Sequence, residues 1–293
     1  MIRNNLKPVL TLYHWDLPSV LQDELTPNGW LNDEIVDHFV EYATLIFQEL
    51  GQKLDYWTTF NEPSTFIKNG YGTGTHAPGF TNSSVNGYIV THNVMRSHTK
   101  AVQKFREFRN SGVVRPTARI GIVLVSQMMY PLDPSNIKDV AAAERALQFD
   151  YGVYLQPMIS GDYPAVMREV VGNRLPKITA EESALVKGSY DLFMMKLFQV
   201  CNRLQTSCDS LSLGYAKDRG VAESRAPEGY RNSSRNSAGE LNCAWFTAYP
   251  PGYLALMKWV SAHDPSAEMM LTENGWYGNE EIYNQDQMWY YKT

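Results

Sequence analysis

Short apolar runs alternate with longer segments of helical periodicity along this chain, and this alternation leaves few folds open to it. Five runs rich in β-branched and aromatic residues predict strands. They are residues 7–13, 56–60, 120–125, 190–194 and 268–272. Runs of this kind are typical of strands that are buried on both faces of a parallel sheet.

Helical spacing of apolar residues predicts helices between these runs. In the clearest case Asn32 is the expected cap, apolar residues recur from Ile35 to Leu50, and Gly51 ends the helix. The other predicted helices are residues 85–108, 137–154, 164–171, 180–186, 251–261 and 285–293. Strands that alternate with helices specify a parallel sheet with crossover helices. Five such units are fewer than the eight of a closed barrel.

Composition excludes some classes of function. Of the 293 residues, 44% are hydrophobic and 19% charged, and the formal net charge is −5. A net negative chain without runs of like charge argues against nucleic acid as a partner. No stretch approaches the roughly 20 apolar residues of a membrane span. The three cysteines contain no C-x-x-C pair, so neither a disulfide framework nor a zinc site is expected.

Glu62 and Glu273 are the candidate catalytic residues. Each directly follows a predicted strand, and the carboxyl ends of barrel strands converge on one face, so the two acids can meet there. Retaining cleavage of a glycosidic bond needs a carboxylic acid that protonates the leaving oxygen and a carboxylate that attacks the anomeric carbon, about 5 to 5.5 Å apart. The amide of Asn61 can bind a sugar 2-hydroxyl group. For either motif alone, the alternative is a solvated glutamate in a turn.

The motifs around these two acids resemble those of a known family. Asn61-Glu62-Pro63 and Thr272-Glu273-Asn274-Gly275 are similar to the acid/base and nucleophile motifs of glycoside hydrolase family 1, the β-glucosidases and their relatives. Other landmarks follow in that family's order: Leu12-Tyr13-His14-Trp15-Asp16-Leu17-Pro18, Gly70-Tyr71, His76-Ala77-Pro78-Gly79, Thr91-His92-Asn93, Gly161-Asp162-Tyr163-Pro164, Lys187-Gly188-Ser189-Tyr190-Asp191 and Tyr249-Pro250-Pro251-Gly252. The resemblance covers nearly all of the chain outside residues 196–240.

The resemblance implies an incomplete (β/α)8 TIM-type barrel with about five of its eight strand units. It implies one catalytic domain over residues 1–293, with an irregular segment at about 196–240. The implied function is a retaining β-glycosidase that hydrolyses a small-molecule β-glycoside by double displacement, with Glu62 as acid/base, Glu273 as nucleophile, and no cofactor or metal. Further residues are implied to contact the substrate: His14, Trp15, Asn61 and Trp245.

The chain also departs from the family pattern. The family's first two strands and its eighth strand, which bear further sugar-binding residues, have no counterpart here. After Asp191 the family shows Asn-x-His-Tyr or a close variant, whose Tyr binds the nucleophile, whereas this chain reads Leu192-Phe193-Met194-Met195-Lys196-Leu197. A catalytically inactive fragment with at most weak sugar binding is therefore the alternative function.

Several interpretations stay open at this stage. His14 could be a buried structural histidine, and Trp245 could belong to the core instead of stacking on a sugar. Asn82-Ser83-Ser84 and Asn232-Ser233-Ser234 are glycosylation acceptors only in a secreted parent, and the first residues lack the apolar region of a secretory signal. Compartment and oligomeric state are not predicted.

Overall fold

The computed structural model of the chain describes residues 4–81, 83–196, 202–206, 214–224, 231–232 and 247–273. Its strands are β1 (Val9–Tyr13), β2 (Tyr56–Asn61), β3 (Arg119–Val125), β4 (Met129–Pro131), β5 (Phe193–Lys196), β6 (Asn202–Thr206), β7 (Val221–Ser224), β8 (Arg231–Asn232), β9 (Thr247–Ala248) and β10 (Met269–Glu273). Its α-helices are α1 (Ser19–Asp23), α2 (Ile35–Leu50), α3 (Pro63–Tyr71), α4 (Asn86–Asn110), α5 (Ile137–Leu147), α6 (Val153–Ser160), α7 (Ala165–Val171), α8 (Ala180–Val186), α9 (Tyr215–Arg219) and α10 (Pro250–His263).

The five predicted strands form one sheet in the order β1-β2-β3-β5-β10. Every neighbouring pair in this sheet is parallel, and at least one helix lies between consecutive members along the chain. All five strands therefore end at the same edge of the sheet. Since the spatial order follows the chain order, the sheet has the arrangement of consecutive strands in a (β/α) barrel.

Helix α2 buries one face, and its apolar residues follow the helical spacing that predicts it from the sequence. Its buried side chains recur at helical spacing, on the face that packs against the sheet: Ile35, Val36, Phe39, Ala43 and Phe47. Asn32 lies two residues before the cap position, which Glu34 occupies, and its Oδ1 accepts a hydrogen bond from the Glu34 amide at 2.9 Å. Gly51 follows the helix as predicted, and a Cβ there would lie 2.4 Å from the carbonyl oxygen of Phe47.

Aromatic side chains fill the space between α2 and the first two strands. Trp30 packs edge-on against Tyr13 and Phe60, with ring centroids 5.3 and 5.4 Å apart, and Phe39 stacks on Phe60 at 4.5 Å. Each of these four rings is almost fully buried. Tyr13 is the last residue of β1 and Phe60 the penultimate residue of β2, so this cluster packs against the strand ends that lead to the candidate site.

Asp191 ties the long helix α4 to the start of β5. Its carboxylate accepts hydrogen bonds from Arg109 at 2.8 Å, from the Ile120 amide at 3.1 Å and from Arg106 at 3.2 Å. Its side chain is only 14% exposed. The chain thus uses a shielded charge cluster to hold α4, β3 and β5 in register at the edge opposite the candidate site.

Two of the predicted segments differ from the described structure. The helix predicted over residues 137–154 consists of α5, a π-helical turn (Gln148–Gly152) and α6, which extends to Ser160. Within residues 196–240, which were expected to be irregular, β6 pairs with β4 and β7, and α9 lies between β6 and β7. These elements have only three to five residues each. Neither β6 nor β7 is an apolar run, so the sequence pattern does not predict them as strands.

Long-range polar contacts hold α9 in place. The buried Asp218 accepts a hydrogen bond from the Tyr88 hydroxyl at 2.7 Å and pairs with both terminal nitrogens of Arg174 at 2.6 and 2.7 Å. Burial, followed by the neighbouring carboxylate, raises the pKa of Tyr88 well above its usual range. Arg219 pairs with Asp150 at 2.9 Å. None of these partners is near in sequence, so local pattern gives no sign of them.

No helix in the described ranges combines the length and the apolar character that a membrane span requires.

Candidate active site

The carboxyl ends of the parallel strands open into a cleft of about 640 Å³. Five of the six residues predicted to act on or bind a sugar line this cleft: His14, Trp15, Asn61, Glu62 and Glu273. The sixth, Trp245, lies outside the described residues. The cleft also contains residues that sequence reasoning did not select, among them Thr65, Asp150, Lys196 and Tyr215.

Glu62 stands in a sharp turn between β2 and α3. Its backbone is left-handed, with φ 45° and ψ 61°, and its amide donates to the Val123 carbonyl at 2.9 Å. Pro63 at the first helical position has the fixed φ that starts a helix. A non-glycine residue with positive φ costs roughly 1 to 3 kcal/mol and is common at functional positions. The local sequence Asn61-Glu62-Pro63 thus holds the carboxyl group at the mouth of the sheet in a strained conformation.

The side chain of Glu62 is held from two sides. Its Oε2 accepts a hydrogen bond from the Thr65 hydroxyl, one turn into α3, at 2.9 Å. Its Oε1 lies 2.9 Å from Nζ of Lys196. The residue as a whole is 8% exposed. The carboxyl group therefore has a fixed direction within a largely desolvated wall of the cleft.

Glu273 is the last residue of β10, and Lys196 is the last residue of β5. The two are register partners on neighbouring strands, and Nζ of Lys196 forms an ion pair with Oε2 of Glu273. The same nitrogen therefore contacts both candidate catalytic carboxylates. Two hydrogen bonds of about 2.9 Å sum to about 6 Å, so the two contacting oxygens cannot lie farther apart than that. The Glu273 side chain is 48% exposed, so the cleft is open on this side.

His14 and Trp15 are joined to Asn61 across the first two strands. The Trp15 ring nitrogen donates to the Asn61 carbonyl at 2.8 Å. The Asn61 amide nitrogen donates to Nε2 of His14 at 3.1 Å, which puts the proton of a neutral imidazole on Nδ1. The Trp15 backbone, like that of Glu62, has a positive φ, of 80°. His14 is exposed to the cleft, so the interpretation of it as a buried structural histidine is wrong.

A buried hydroxyl supports the turn at Trp15. The Tyr13 hydroxyl donates to the Trp15 carbonyl at 3.0 Å and accepts a hydrogen bond from the Trp30 ring nitrogen at 3.0 Å. Burial raises the pKa of Tyr13 to about 12, so this hydroxyl keeps its proton and its donor role at neutral pH. The predicted substrate-binding residues of β1 thus rest on the aromatic cluster below them.

His98 of α4 contacts β2 at Thr59, three residues before Glu62. Its Nδ1 lies 2.8 Å from the Thr59 hydroxyl and its Nε2 lies 2.7 Å from the Ser189 carbonyl, so Nε2 carries the proton and Nδ1 accepts. Burial lowers the pKa of this imidazole to about 4. The neutral ring therefore links α4 to the strand that carries Glu62 and to the segment that enters β5.

Lys196 is a cleft residue that the sequence-based prediction missed, and it contacts both candidate carboxylates. Lys196 is the last residue of β5, which lies between β3 and β10 in the sheet. Its position at a strand end, like that of Glu273, is the one feature of the sequence that could have indicated a site residue. The family pattern predicts no cation there, so the sequence motifs do not indicate Lys196 as a site residue. Tyr215 also reaches the cleft, where its hydroxyl bonds to Asp150.

Comparison with known proteins decides the family. The model of glycosyl hydrolase family 1 matches residues 1–292. The chain belongs to glycosyl hydrolase family 1. Its family 1 relatives include a furostanol glycoside 26-O-beta-glucosidase of Hellenia speciosa, 34% identical over 94% of this chain and 49% of the relative. Beta-glucosidase 23 of Arabidopsis thaliana is 34% identical over 96% of this chain and 54% of the relative. The chain spans about half the length of these curated relatives.

Solved family 1 structures agree with the fold. A rice β-glucosidase superposes with a TM-score of 0.87 at 30% identity, over 99% of this chain and 63% of the rice chain. The β-glucosidase of Trichoderma harzianum gives a TM-score of 0.79 at 33% identity, over 94% of this chain and 56% of that one. The five parallel strands of the described residues are thus an incomplete set from the (β/α)8 barrel, and the predicted fold class is confirmed.

Proposed function

We propose that this chain carries the catalytic pair of a retaining β-glycosidase and acts on a small-molecule β-glycoside, with Glu62 as acid/base and Glu273 as nucleophile. One observation carries the proposal: both carboxylates contact the same lysine nitrogen. Their oxygens are then at most about 6 Å apart. This upper limit admits the roughly 5 to 5.5 Å between the carboxyl groups of retaining enzymes, whereas inverting enzymes need about 6.5 to 9.5 Å to admit a water molecule.

The proposed reaction has two steps. In the first, a carboxylate oxygen of Glu273 bonds to the anomeric carbon while the bond to the leaving oxygen breaks, and the carboxylic acid of Glu62 gives that oxygen its proton. In the second, the Glu62 carboxylate takes a proton from water, the hydroxide oxygen bonds to the anomeric carbon, and Glu273 leaves as a carboxylate. Two inversions return the sugar with its original β configuration.

The surrounding residues have matching roles in this proposal. Asn61, held by His14 and Trp15, would bind the sugar 2-hydroxyl group, a contact that strengthens in the transition state. Thr65 orients the carboxyl group of Glu62 through its 2.9 Å hydrogen bond. Trp245 would contact the leaving group, as the family resemblance implies. The relatives are named β-glucosidases, which makes a β-glucoside the first substrate to test.

A second candidate function is a sugar-binding chain without turnover. It is favoured by the Lys196 ammonium, which stands where the two carboxylates would meet a substrate. The two functions differ in a measurable product. Only a working nucleophile forms a covalent bond to the sugar.

The test uses the purified 293-residue chain, an aryl β-glucoside and a fluorinated aryl glycoside that traps the covalent intermediate. We expect mass spectrometry of a digest to find the sugar on Glu273. Glu273→Gln should lose both labelling and turnover, whereas Glu62→Gln should still label slowly when the leaving group needs no proton. Glu169→Gln, on the exposed face of α7, is the matched control and should behave like the parent.

Azide separates the two roles. In Glu273→Ala the small anion can attack from the nucleophile's face and give an α-glycosyl azide, and in Glu62→Ala it can attack the covalent intermediate and give a β-glycosyl azide. Labelling of another carboxylate, or unchanged turnover in Glu273→Gln, would contradict the assignment. A folded chain that binds a glucoside but never labels would instead support the second candidate function.

A further inference from the structure

Lys196 is a buried cation inside the candidate active site. Its side chain is 4% exposed, and its Nζ lies 2.9 Å from Glu62 and forms an ion pair with Glu273. Its backbone lies between Val125 of β3 and Glu273 of β10, so the sheet register itself aims the side chain at this point. The contact is therefore built into the sheet and does not depend on a surface loop.

The ammonium occupies the space that a reacting glycoside needs. The anomeric carbon must come within about 3 to 3.5 Å of a Glu273 oxygen. The leaving oxygen must come within hydrogen-bond distance of Glu62, about 2.6 to 3.2 Å. A nitrogen that already contacts an oxygen of each carboxylate excludes those two atoms by van der Waals contact. Substrate and ammonium cannot be there together.

Displacing this ammonium has an electrostatic cost. Both of its partners lie in the cleft, and Glu62 is shielded from water. Moving the ammonium away therefore leaves a buried carboxylate charge without its counterion. A neutral glycoside brings no positive charge in exchange. The cost falls on binding, because the ammonium must leave before the sugar is seated, and the bond-breaking step that follows does not include it.

We propose that Lys196 is an internal occupant of the gap between Glu62 and Glu273, which a neutral β-glycoside must displace before it can contact both carboxylates. This inference rests on the proposed function, since it takes the gap to be the reaction site. It makes Lys196 a determinant of substrate affinity. A neutral side chain of similar length forms no ion pair with Glu62 or Glu273, so it should leave the gap without the electrostatic cost.

The first test measures the affinity for a neutral aryl β-thioglucoside by calorimetry in the full chain. Lys196→Met and Lys196→Gln should both bind it about tenfold more tightly than the parent, which corresponds to a gain of about 1.4 kcal/mol. In any turnover assay the change should appear in KM, with kcat changed much less. The matched control is Lys258→Met, an exposed lysine of α10, which should leave the affinity unchanged.

The second test needs no variant. Reductive methylation followed by mass spectrometry should modify Lys196 slowly in the free chain, because its ammonium is buried and paired, and faster when the thioglucoside is saturating. Unchanged protection at saturation would overturn the inference. So would equal or weaker binding in both Lys196 variants when circular dichroism shows them folded. Labelling of Glu273 by the fluorinated glycoside reports separately on the proposed function, so the two ideas can fail independently.

Discussion

The buried imidazole of His98 should make the stability of this protein depend on pH in a specific window. Burial lowers its pKa from 6.5 to about 4 in the folded chain, whereas the unfolded chain keeps the ordinary value. Between these values the unfolded state binds the extra proton and the folded state does not. The stabilisation is therefore fully present above about pH 6.5 and is lost progressively as the pH falls toward 4.

The size of this effect follows from the same two values. At about 1.4 kcal/mol per pH unit, the gap between 6.5 and about 4 corresponds to a loss of about 3 kcal/mol in the free energy of unfolding. Typical domains have only about 5 to 15 kcal/mol in total. The loss is thus large enough to measure by urea unfolding at a series of pH values.

The comparison that isolates His98 is with His98→Gln. The variant should be less stable at pH 7, by about 1 to 3 kcal/mol, because the bonds to Thr59 and Ser189 are disturbed. Its disadvantage should shrink as the pH falls to 4, since it has no imidazole to protonate. The control His38→Gln, with a side chain that is 42% exposed, should follow the parent at every pH. Parallel curves for the parent and His98→Gln between pH 6.5 and 4 would refute the reasoning.

Two further predictions concern packing and charge. Asp191→Ala should lower the free energy of unfolding by about 3 kcal/mol, because it leaves shielded arginine and amide donors without their acceptor. The control Asp37→Ala, at a side chain that is 74% exposed, should cost less than about 1 kcal/mol in urea unfolding. Gly121→Ala should cost about 1 to 3 kcal/mol, since its Cβ would lie 2.7 Å from the Leu192 carbonyl oxygen. Gly87→Ala, whose nearest neighbour would be 3.7 Å away, is its control, and equal losses at the two glycines would contradict this account.

Strain at Trp15 and Glu62 links the fold to the proposed chemistry. Both residues have positive φ, both follow the end of a strand, and both line the cleft. Each turns a side chain toward the same space, which is the arrangement expected where backbone strain is retained for function.

The local sequence pattern alone predicted a parallel sheet with crossover helices, and the family resemblance added the incomplete barrel. Two kinds of pattern depend only on residues that are close together in the chain. One is the apolar run that is typical of a buried strand, and the other is the helical spacing that places one face of α2 on the core. The same holds for Asn61-Glu62-Pro63, where a strand, a turn and a proline at the first helical position follow directly. Local pattern was therefore sufficient for the five parallel strands and for the two acids at their ends.

Tertiary structure decided what depends on strand order and register. Lys196 meets Glu62 and Glu273 only because β5 lies between β3 and β10 with its last residue beside Glu273, and no spacing in the sequence encodes that position. The short elements β6, β7 and α9 likewise depend on partners far along the chain, since segments of four or five residues cannot bury enough surface to be stable alone. Local propensity predicts individual strands and helices. The ion pairs between residues of different strands form only when the sheet has assembled.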